Sequence, residues 1–485
     1  MKKVFLFLLC VAISLLMLVA CGNADEEELP VSEVVDQETC EHTFSMAAFV
    51  TEKTDISYAA LYRCEKCKKE EQRSFSYTDI DIPLVSITGD LSVFVEKSGA
   101  SDKERKETVA FLYQSKGQIV ECAATVKLQG KSSSTDPKKN YSINLSDAES
   151  GEKRNVAFDS AWGEGYKYVL KANYSEPSSV RNVALSALYG QMAHGLNLAD
   201  HYADLVNCGA VDGYPVLLYV NGQYQGLYDW VIRKDKWLYG MGDETAGEAV
   251  LEGSEVDVFD SEEGVVMLPE GMASAKSWSE EYVNENYGEK GWAEASFNEM
   301  LFAIRNADSA QLRAVILEYI EIERTLDVML FNAVFGATDS ISGNQVWCTF
   351  NGKKWAPVPY DYDRSLGRSG NCLTEADENP AEVIERNRLY DIIMNAYSDE
   401  IRTRYAALRQ NVFTVENVMN VIKGKLVGLD ERFFVAELEK WPEASWRECE
   451  GSELITGFDA ELAFIESYVT ERFVYCDSFF GRVGS

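Results

Sequence analysis

Hydrophobic periodicity changes once along this chain, from strand-like alternation to helical spacing. Before about residue 232, short runs of β-branched and aromatic residues lie between polar turns, as at Ala123–Leu128, Asn140–Leu145 and Lys167–Lys171. Farther along, apolar residues recur at helical spacing, as in Ala310–Phe335 and Phe458–Phe473. This order predicts an α+β fold with a strand-rich N-terminal lobe and a helical C-terminal lobe.

Two local signals refine the strand-rich half. The dipeptide Asn221-Gly222 joins the strand-like runs Val216–Val220 and Tyr224–Ile232 and supplies the positive φ angles of a tight hairpin turn. A helix is predicted over residues 179–195, where apolar residues recur at helical spacing. The first half therefore contains at least one helix among its strands.

Residues 1–21 have the pattern of a lipoprotein signal peptide. Two lysines precede an uncharged apolar stretch, and the ending Leu-Val-Ala-Cys21 offers small residues to a peptidase and a sulfur to a diacylglycerol. The alternatives are a plain signal peptide or a membrane-spanning helix, but about seventeen apolar residues bordered by a cysteine are marginal for spanning. We expect a protein on the extracytoplasmic face of the cell membrane, anchored by lipid on Cys21, with residues 22–39 as an acidic tether.

The formal net charge of −33 restricts the partners of this chain. A surface of this charge repels phosphate backbones, so nucleic acid is not an expected partner. The acidity suits a protein that handles divalent cations, but a solvated surface that keeps a secreted protein soluble explains it as well.

Four metal-ligand side chains lie in two close pairs within residues 40–77. Cys40 and His42 form the first pair, Cys64 and Cys67 the second, and this is zinc-ribbon spacing. The metal would replace a hydrophobic core too small to form, in a structural role, since four protein ligands leave no open position. A disulfide between two of these cysteines is the alternative. We interpret residues 40–77 as a small zinc-ribbon-like module.

The other histidines and cysteines have no catalytic pattern. His194 and His201, near the end of the predicted helix, are interpreted as structural. Six further cysteines lack the dense spacing of a small disulfide scaffold, so a large apolar core must supply stability, with one or two disulfides possible. These cysteines are Cys122, Cys208, Cys348, Cys372, Cys449 and Cys476.

The densest polar constellation starts at Asp339 and Asn344 and continues where the apolar strand 355–360 runs into Asp361-Tyr-Asp363. An Asp, an Asn five residues later and a second Asp about twenty residues on form the arrangement that protein kinases use for phosphoryl transfer. There, the first Asp orients the attacking hydroxyl, while the Asn and the later Asp hold magnesium on the ATP phosphates. An ordinary acidic loop is the alternative.

A second constellation has the pattern of strand, turn and strand over residues 126–143. Its turn, Gly130-Lys-Ser-Ser133, offers backbone N–H groups to phosphates, and a lysine entering the next strand, Lys138 or Lys139, adds a point charge. The alternative is a surface hairpin with exposed lysines.

Together, these segments resemble the CotH kinase family. Its usual pattern is an Arg-Gly-Asn-Ser-Ser turn, a Lys-Lys-x-Tyr strand, an Ala-x-Tyr-x-Asp segment leading to Arg-Asn, an Asn-Gly-x-x-x-Gly-x-Tyr hairpin and Pro-Trp-Asp-x-Asp. Counterparts of all five occur here in that order, and the resemblance covers residues 80–480. They are found within residues 129–133, 138–141, 172–182, 221–228 and 359–363.

The resemblance implies an atypical protein kinase with a kinase-like fold, which transfers the γ-phosphoryl group of ATP to Ser or Thr of an envelope or spore-coat protein. Asp339 would be the catalytic residue. Asn344 and Asp361 would hold Mg²⁺, with Asp363 as a reserve ligand.

The same resemblance assigns three basic residues to the nucleotide. Lys139, or less strongly Lys138, would contact the phosphates. Arg181 would brace the site or contact a phosphate.

Some positions depart from the family pattern. Gln129 and Lys131 stand where Arg and Asn are usual, Tyr360 replaces the Trp, and Ile232 falls where a Glu commonly follows the hairpin. A catalytically inactive surface binding or assembly protein is therefore the main alternative, and nucleotide binding separates it from the kinase. A glycoside hydrolase that uses the Asp-Tyr-Asp pair ranks far behind, because residues two apart on a strand lie too close for the usual carboxylate separation.

Overall fold

The computed structural model describes most of the chain after residue 43. The leader, Cys21, the tether, Cys40 and His42 lie outside the described residues. Within the described part, no helix is both long enough and apolar enough to cross a membrane. The described residues are 44–54, 57–64, 66–76, 82–91, 105–130, 132–194, 202, 204–253, 278–369 and 372–481.

Three strands near the start form a small sheet in the order β1-β2-β3, namely β1 (Phe44–Thr54), β2 (Ser57–Cys64) and β3 (Glu70–Ser76). Cys64 and Cys67 are buried, and the Cys64 N–H donates to the Lys69 carbonyl at 2.8 Å across the turn between β2 and β3. Among the described residues, no group of three His, Cys, Asp or Glu side chains is arranged to hold a metal ion. The structure therefore gives the zinc site no support, and zinc in this module stays a prediction.

The strand-rich half is a closed barrel of seven strands. Around the barrel the order is β10-β8-β7-β6-β5-β4-β9, and β9 pairs with β10 to close it. Every pairing is antiparallel except that of β4 with β9. The strands are β4 (Leu84–Thr88), β5 (Lys106–Gln114), β6 (Ile119–Gln129), β7 (Asn140–Ser146), β8 (Lys167–Lys171), β9 (Gly213–Val220) and β10 (Gln223–Ile232).

Period-two alternation and aromatic packing explain this barrel. In β6, buried and less buried residues alternate along the whole strand, so one face points into the core. Tyr168 and Phe158 pack on Trp230 with ring centroids 4.8 and 5.2 Å apart. Asn221 and Gly222 have φ angles of 50° and 77°, which confirms the predicted hairpin turn between β9 and β10.

A second sheet has the order β12-β11-β13-β14, with antiparallel pairings. Its last strand, β14, leads directly into the Asp361-Tyr-Asp363 segment. A two-stranded ribbon of β15 and β16 follows. These strands are β11 (Ala249–Gly253), β12 (Trp278–Val283), β13 (Gln345–Thr349), β14 (Trp355–Val358), β15 (Arg368–Ser369) and β16 (Cys372–Leu373).

Ten of the eleven α-helices in the described residues follow the barrel strands in sequence. The helix Ile322–Phe335, in which every residue from Arg324 to Phe335 is buried, packs against several of the other helices. The helices are α1 (Arg181–Ala193), α2 (Trp292–Asn306), α3 (Leu312–Tyr319), α4 (Ile322–Phe335), α5 (Thr338–Ser342), α6 (Pro380–Glu385), α7 (Arg388–Ala396), α8 (Ser398–Leu408), α9 (Val415–Lys425), α10 (Glu431–Lys440) and α11 (Phe458–Phe480).

The sequence predicted the element types well but not every boundary. The single helical segment expected over residues 310–335 is two helices, because the Glu321 N–H donates to the Trp355 carbonyl at 3.0 Å and leaves the helical pattern. Cys122, Cys208, Cys348 and Cys476 are buried thiols that form no disulfide. The α+β prediction is confirmed, with the strand-rich half closed into a barrel, while the kinase-like arrangement of lobes stays a prediction.

Candidate active site

One cavity of about 620 Å³ brings together residues from the barrel, the second sheet and the segment after β14. Asp339, Asn344, Asp361 and Asp363 all line it, although up to 24 positions separate them in the sequence. The Gly130 turn lines the same cavity. The structure therefore gathers the two constellations that the sequence singled out separately.

The backbone around Asp361 directs both carboxylates of the Asp-Tyr-Asp segment into this cavity. Asp361 has a φ of 63°, a left-handed conformation that costs a non-glycine residue about 1 kcal/mol and is concentrated at functional sites. The Ser340 hydroxyl of α5 donates to the carbonyls of Tyr360 and Asp361 at 2.9 and 3.0 Å. The intervening Tyr362 is fully buried, and its N–H donates to Asn182 Oδ1 at 3.2 Å. Packing on both sides thus fixes the pair.

The carboxyl of Asp363 is held by a hydroxyl of the segment that follows β8. The hydroxyl of Ser175 donates to Asp363 Oδ2 at 2.6 Å. Burial and then the negative charge of Asp361 raise the pKa of Asp363 to about 6, although Lys171 and the Ser175 hydrogen bond oppose this. A cation bound at this position would favour the ionised form of this carboxyl.

Asp339 and Asn344 are held together by the short helix α5. The N–H groups of Gly343 and Asn344 both donate to the Asp339 carbonyl at 2.8 Å, and Asn344 Nδ2 donates to Asp339 Oδ2 at 3.0 Å. This arrangement leaves Asn344 Oδ1 available as an oxygen ligand. Burial and the charge of Asp361 raise the pKa of Asp339, while Arg364 and Lys171 oppose the shift.

Lys171 is the central residue that the sequence reasoning missed. Its Nζ donates to Asp361 Oδ1 at 2.7 Å and lies 5.5 Å from the centroid of the Tyr360 ring. Burial lowers the pKa of Lys171, but Asp361, Tyr360 and Asp363 outweigh it and raise the pKa, so the ammonium stays charged. A lysine at the end of a strand, after Tyr-Val-Leu and just before Ala-Asn-Tyr, was the available signal.

Lys138 and Lys139 have other partners. Lys138 lines the cavity, but its Nζ donates to the Leu227 carbonyl at 2.6 Å and to Glu437 Oε2 at 2.9 Å. Lys139 does not line the cavity, and its Nζ donates to the Ser134 carbonyl at 2.9 Å. The structure brings neither ammonium into contact with the predicted metal ligands.

Arg181 lies behind the site and outside the cavity lining. It is fully buried, its Nε donates to the Ser365 carbonyl at 3.2 Å, and its guanidinium pairs with Glu176 and Glu461. Because Ser365 follows Asp363 by two residues, Arg181 ties the start of α1 and helix α11 to the Asp361–Asp363 loop. This position suits bracing of the site.

A second missed group comes from the end of β10 and the second sheet. Lys234 pairs with Glu252 and lies 3.9 Å from Glu281 and 4.5 Å from the Tyr360 ring centroid. Arg233 donates to Ser142 Oγ at 3.2 Å. Arg233 and Lys234 therefore add two basic residues to the cavity lining, with Lys234 beside Tyr360.

The residues present fit a magnesium-bound nucleotide. Gly130 has a φ of 102°, and a Cβ there would collide with Ser133 Oγ, so this turn admits only a bare backbone beside the cavity. Gln129 Oε1 and Asn144 Oδ1 are buried cavity-lining acceptors that have no hydrogen-bond partner among the described residues. Mg²⁺ is usually held by one or two carboxylates together with phosphate oxygens, and Asp361 and Asp363 supply two carboxylates to the cavity lining.

Comparison with known proteins identifies the family of this chain. No curated protein matches it. The family described as CotH kinase protein matches residues 126–476, which is most of the chain and includes every aspartate and lysine discussed above for the cavity. The chain belongs to the CotH kinase protein family.

Proposed function

We propose that this chain is an active protein kinase that transfers the γ-phosphoryl group of ATP to serine or threonine hydroxyls. The observation that carries this proposal is the convergence of Asp339, Asn344, Asp361 and Lys171 on one cavity in a chain of the CotH kinase family. Oxygen ligands for a hard cation and a charged ammonium for phosphates then lie side by side.

Each residue has a defined role in this proposal. Mg²⁺, when bound with ATP, would neutralise charge on the phosphates. Asp361, Asp363 and Asn344 Oδ1 would hold it, and Lys171 would turn from Asp361 to the phosphates. Asp339 would orient the acceptor hydroxyl and accept its proton. This role suits Asp339 because burial raises the pKa of its carboxyl.

We also propose that the kinase works on the outer face of the membrane, anchored through Cys21, with an envelope or spore-coat protein as acceptor. The leader pattern supports the anchor, and family membership supports a protein acceptor. A Cys21→Ser variant should lose incorporation of labelled fatty acid and leave the membrane fraction. Retention of both would contradict the anchor.

The kinase is tested with the chain lacking residues 1–21, labelled ATP, Mg²⁺ and a generic protein acceptor. Asp339→Asn should lose at least about 100-fold in transfer rate, as expected for loss of a positioned base. Asp377→Asn, an exposed aspartate that does not line the cavity, is the matched control and should keep full activity. Equal transfer by the native chain and Asp339→Asn would contradict the assignment. Failure of the native chain to bind ATP would favour the inactive surface binding protein.

A further inference from the structure

Arg364 differs from the other arginine of the cavity in having almost no bonding partner. It follows Asp363, lines the cavity, and its side chain is 39% exposed. Its only ion pair among the described residues is a loose one, with Nη1 3.8 Å from Asp339 Oδ2, and it donates no hydrogen bond there. Arg233, by contrast, is bonded to Ser142.

Buried arginines in this protein have a structural role, in which they hold separate elements together by hydrogen bonds. Arg181 and Arg472 both donate to backbone carbonyls across element boundaries. A guanidinium has five N–H donors, and those of Arg364 are used by no other described side chain or carbonyl, so they are open to a ligand that enters the cavity. Arg364 therefore lacks the features of a structural arginine.

The charges around Arg364 place it where phosphoryl transfer would occur. It interacts electrostatically with Asp339 of α5, with Asp363 of its own loop and with Asp136 after the Gly130 turn. Asp339 marks the acceptor side, and Asp363 marks the metal side. A phosphoryl group that passes from metal-held ATP to an acceptor must lie between these two carboxylates, beside the guanidinium.

We propose that Arg364 is a catalytic residue whose guanidinium donates hydrogen bonds to the transferring phosphoryl group. This inference rests on the proposed kinase function. In the step, the acceptor oxygen forms a bond to the γ-phosphorus, the bond from that phosphorus to the β-bridging oxygen breaks with its electron pair staying on ADP, and the acceptor proton goes to Asp339. Arg364 keeps its protons and stabilises the charge on the phosphoryl oxygens.

The test compares native chain, Arg364→Ala, Arg364→Lys and Arg313→Ala, each as purified full chain. Arg313 pairs with Glu400 on the surface away from the cavity and serves as the matched control. Transfer rate at saturating Mg²⁺-ATP and ATP affinity by calorimetry are measured for each. Arg364→Ala should lose about 100-fold or more in transfer rate, while its ATP affinity stays within about threefold.

Two further measurements distinguish hydrogen bonding of Arg364 to the phosphoryl group from a mere contribution of positive charge. Arg364→Lys should recover no more than about a tenth of the native rate, because an ammonium lacks the planar fork of donors. Guanidinium ion at millimolar concentration should partly restore Arg364→Ala. A native rate in Arg364→Lys, or a rate in Arg364→Ala within about threefold of native, would overturn the role of Arg364. Absence of transfer by the native chain would instead overturn the proposed function, and this inference with it.

Discussion

Lys171 Nζ lies 2.7 Å from Asp361 Oδ1, and this ion pair joins the last residue of β8 to the loop that follows β14. Both side chains line the cavity, at 14% and 20% exposure. Each also has the chemistry that Mg²⁺-ATP needs, an ammonium for phosphate and a carboxylate for the cation. In the proposed function, Lys171 would leave Asp361 for a phosphate when Mg²⁺-ATP binds.

The first prediction concerns this lysine. Lys171→Met should weaken ATP binding by about 10–100-fold and abolish transfer, because it removes the charge-assisted contact to phosphate. The matched control is Lys353→Met, which removes an ammonium from the exposed pair with Glu318. Calorimetric titration of both variants with Mg²⁺-ATP measures the difference. If Lys171→Met bound Mg²⁺-ATP with native affinity, the phosphate contact would have to be assigned to another lysine.

A second prediction uses two glycines with similar backbone angles. Gly130 and Gly151 have φ angles of 102° and 71°, but a Cβ on Gly130 would strike Ser133 Oγ, whereas a Cβ on Gly151 meets nothing within 4 Å. Both Ala variants should lose about 1 kcal/mol from the left-handed backbone. Only Gly130→Ala should also lose ATP affinity, by about tenfold, because it distorts the turn at the cavity. Equal ATP affinity in the two variants would show that this turn does not contact the nucleotide.

A third prediction assigns Lys138 to stability. Its ammonium is buried between the Leu227 carbonyl and Glu437, which also accepts the Leu227 N–H, and so fastens α10 to β10. Lys138→Met should cost about 2–3 kcal/mol in unfolding free energy, because it leaves the Glu437 carboxylate, which is only 19% exposed, without its cation.

The double variant Lys138→Met with Glu437→Leu tests that explanation. It should be more stable than the sum of the two single losses predicts, since neither charge of the pair is left without its partner. Urea denaturation of the four proteins gives the coupling energy. If the changes in unfolding free energy of the two single variants simply add in the double variant, the Lys138–Glu437 pair does not stabilise the fold.

A fourth prediction concerns pH and Asp229 in β10. Burial raises the pKa of this carboxyl to about 7; the Asn173 hydrogen bond opposes the shift and the charge of Glu176 adds to it. Between about pH 4 and 7, the folded chain holds a proton that the unfolded chain releases, so this carboxyl lowers the unfolding free energy as pH rises, by up to about 4 kcal/mol.

Asp229→Asn should remove this fall in unfolding free energy with rising pH. The native chain should gain stability relative to the variant as pH falls from 8 to 5, and the difference should level off above about pH 8. Urea denaturation of both proteins at pH 5, 6, 7 and 8 measures it. An unfolding free-energy difference that does not change over this range would mean that Asp229 is already ionised in the fold.

Local features of the fold were accessible from sequence because they depend on neighbouring residues. The turn at Asn221, strand Lys167–Lys171 and helix α1 follow from positive-φ residues, alternation and helical spacing within a few positions. The break between α3 and α4 was not accessible, because it depends on a hydrogen bond from Glu321 to Trp355, a residue in another element. Closure of the barrel likewise depends on the parallel pairing of β4 with β9, far apart in the chain.

By itself, the sequence determined the α+β order of the chain, its family resemblance and the identity of the acidic residues at the candidate site. Asp339, Asn344 and Asp361 lie within one short segment of the chain. Their oxygen-bearing side chains and their spacing could therefore be recognised without coordinates. Only the tertiary structure decided which cations face them. Lys171 reaches Asp361 across 190 positions, while Lys138 and Lys139 are taken up by Glu437 and the Ser134 carbonyl. Strand alternation states which residues point inward, but the partner that a buried ammonium finds depends on chain segments that only folding brings together.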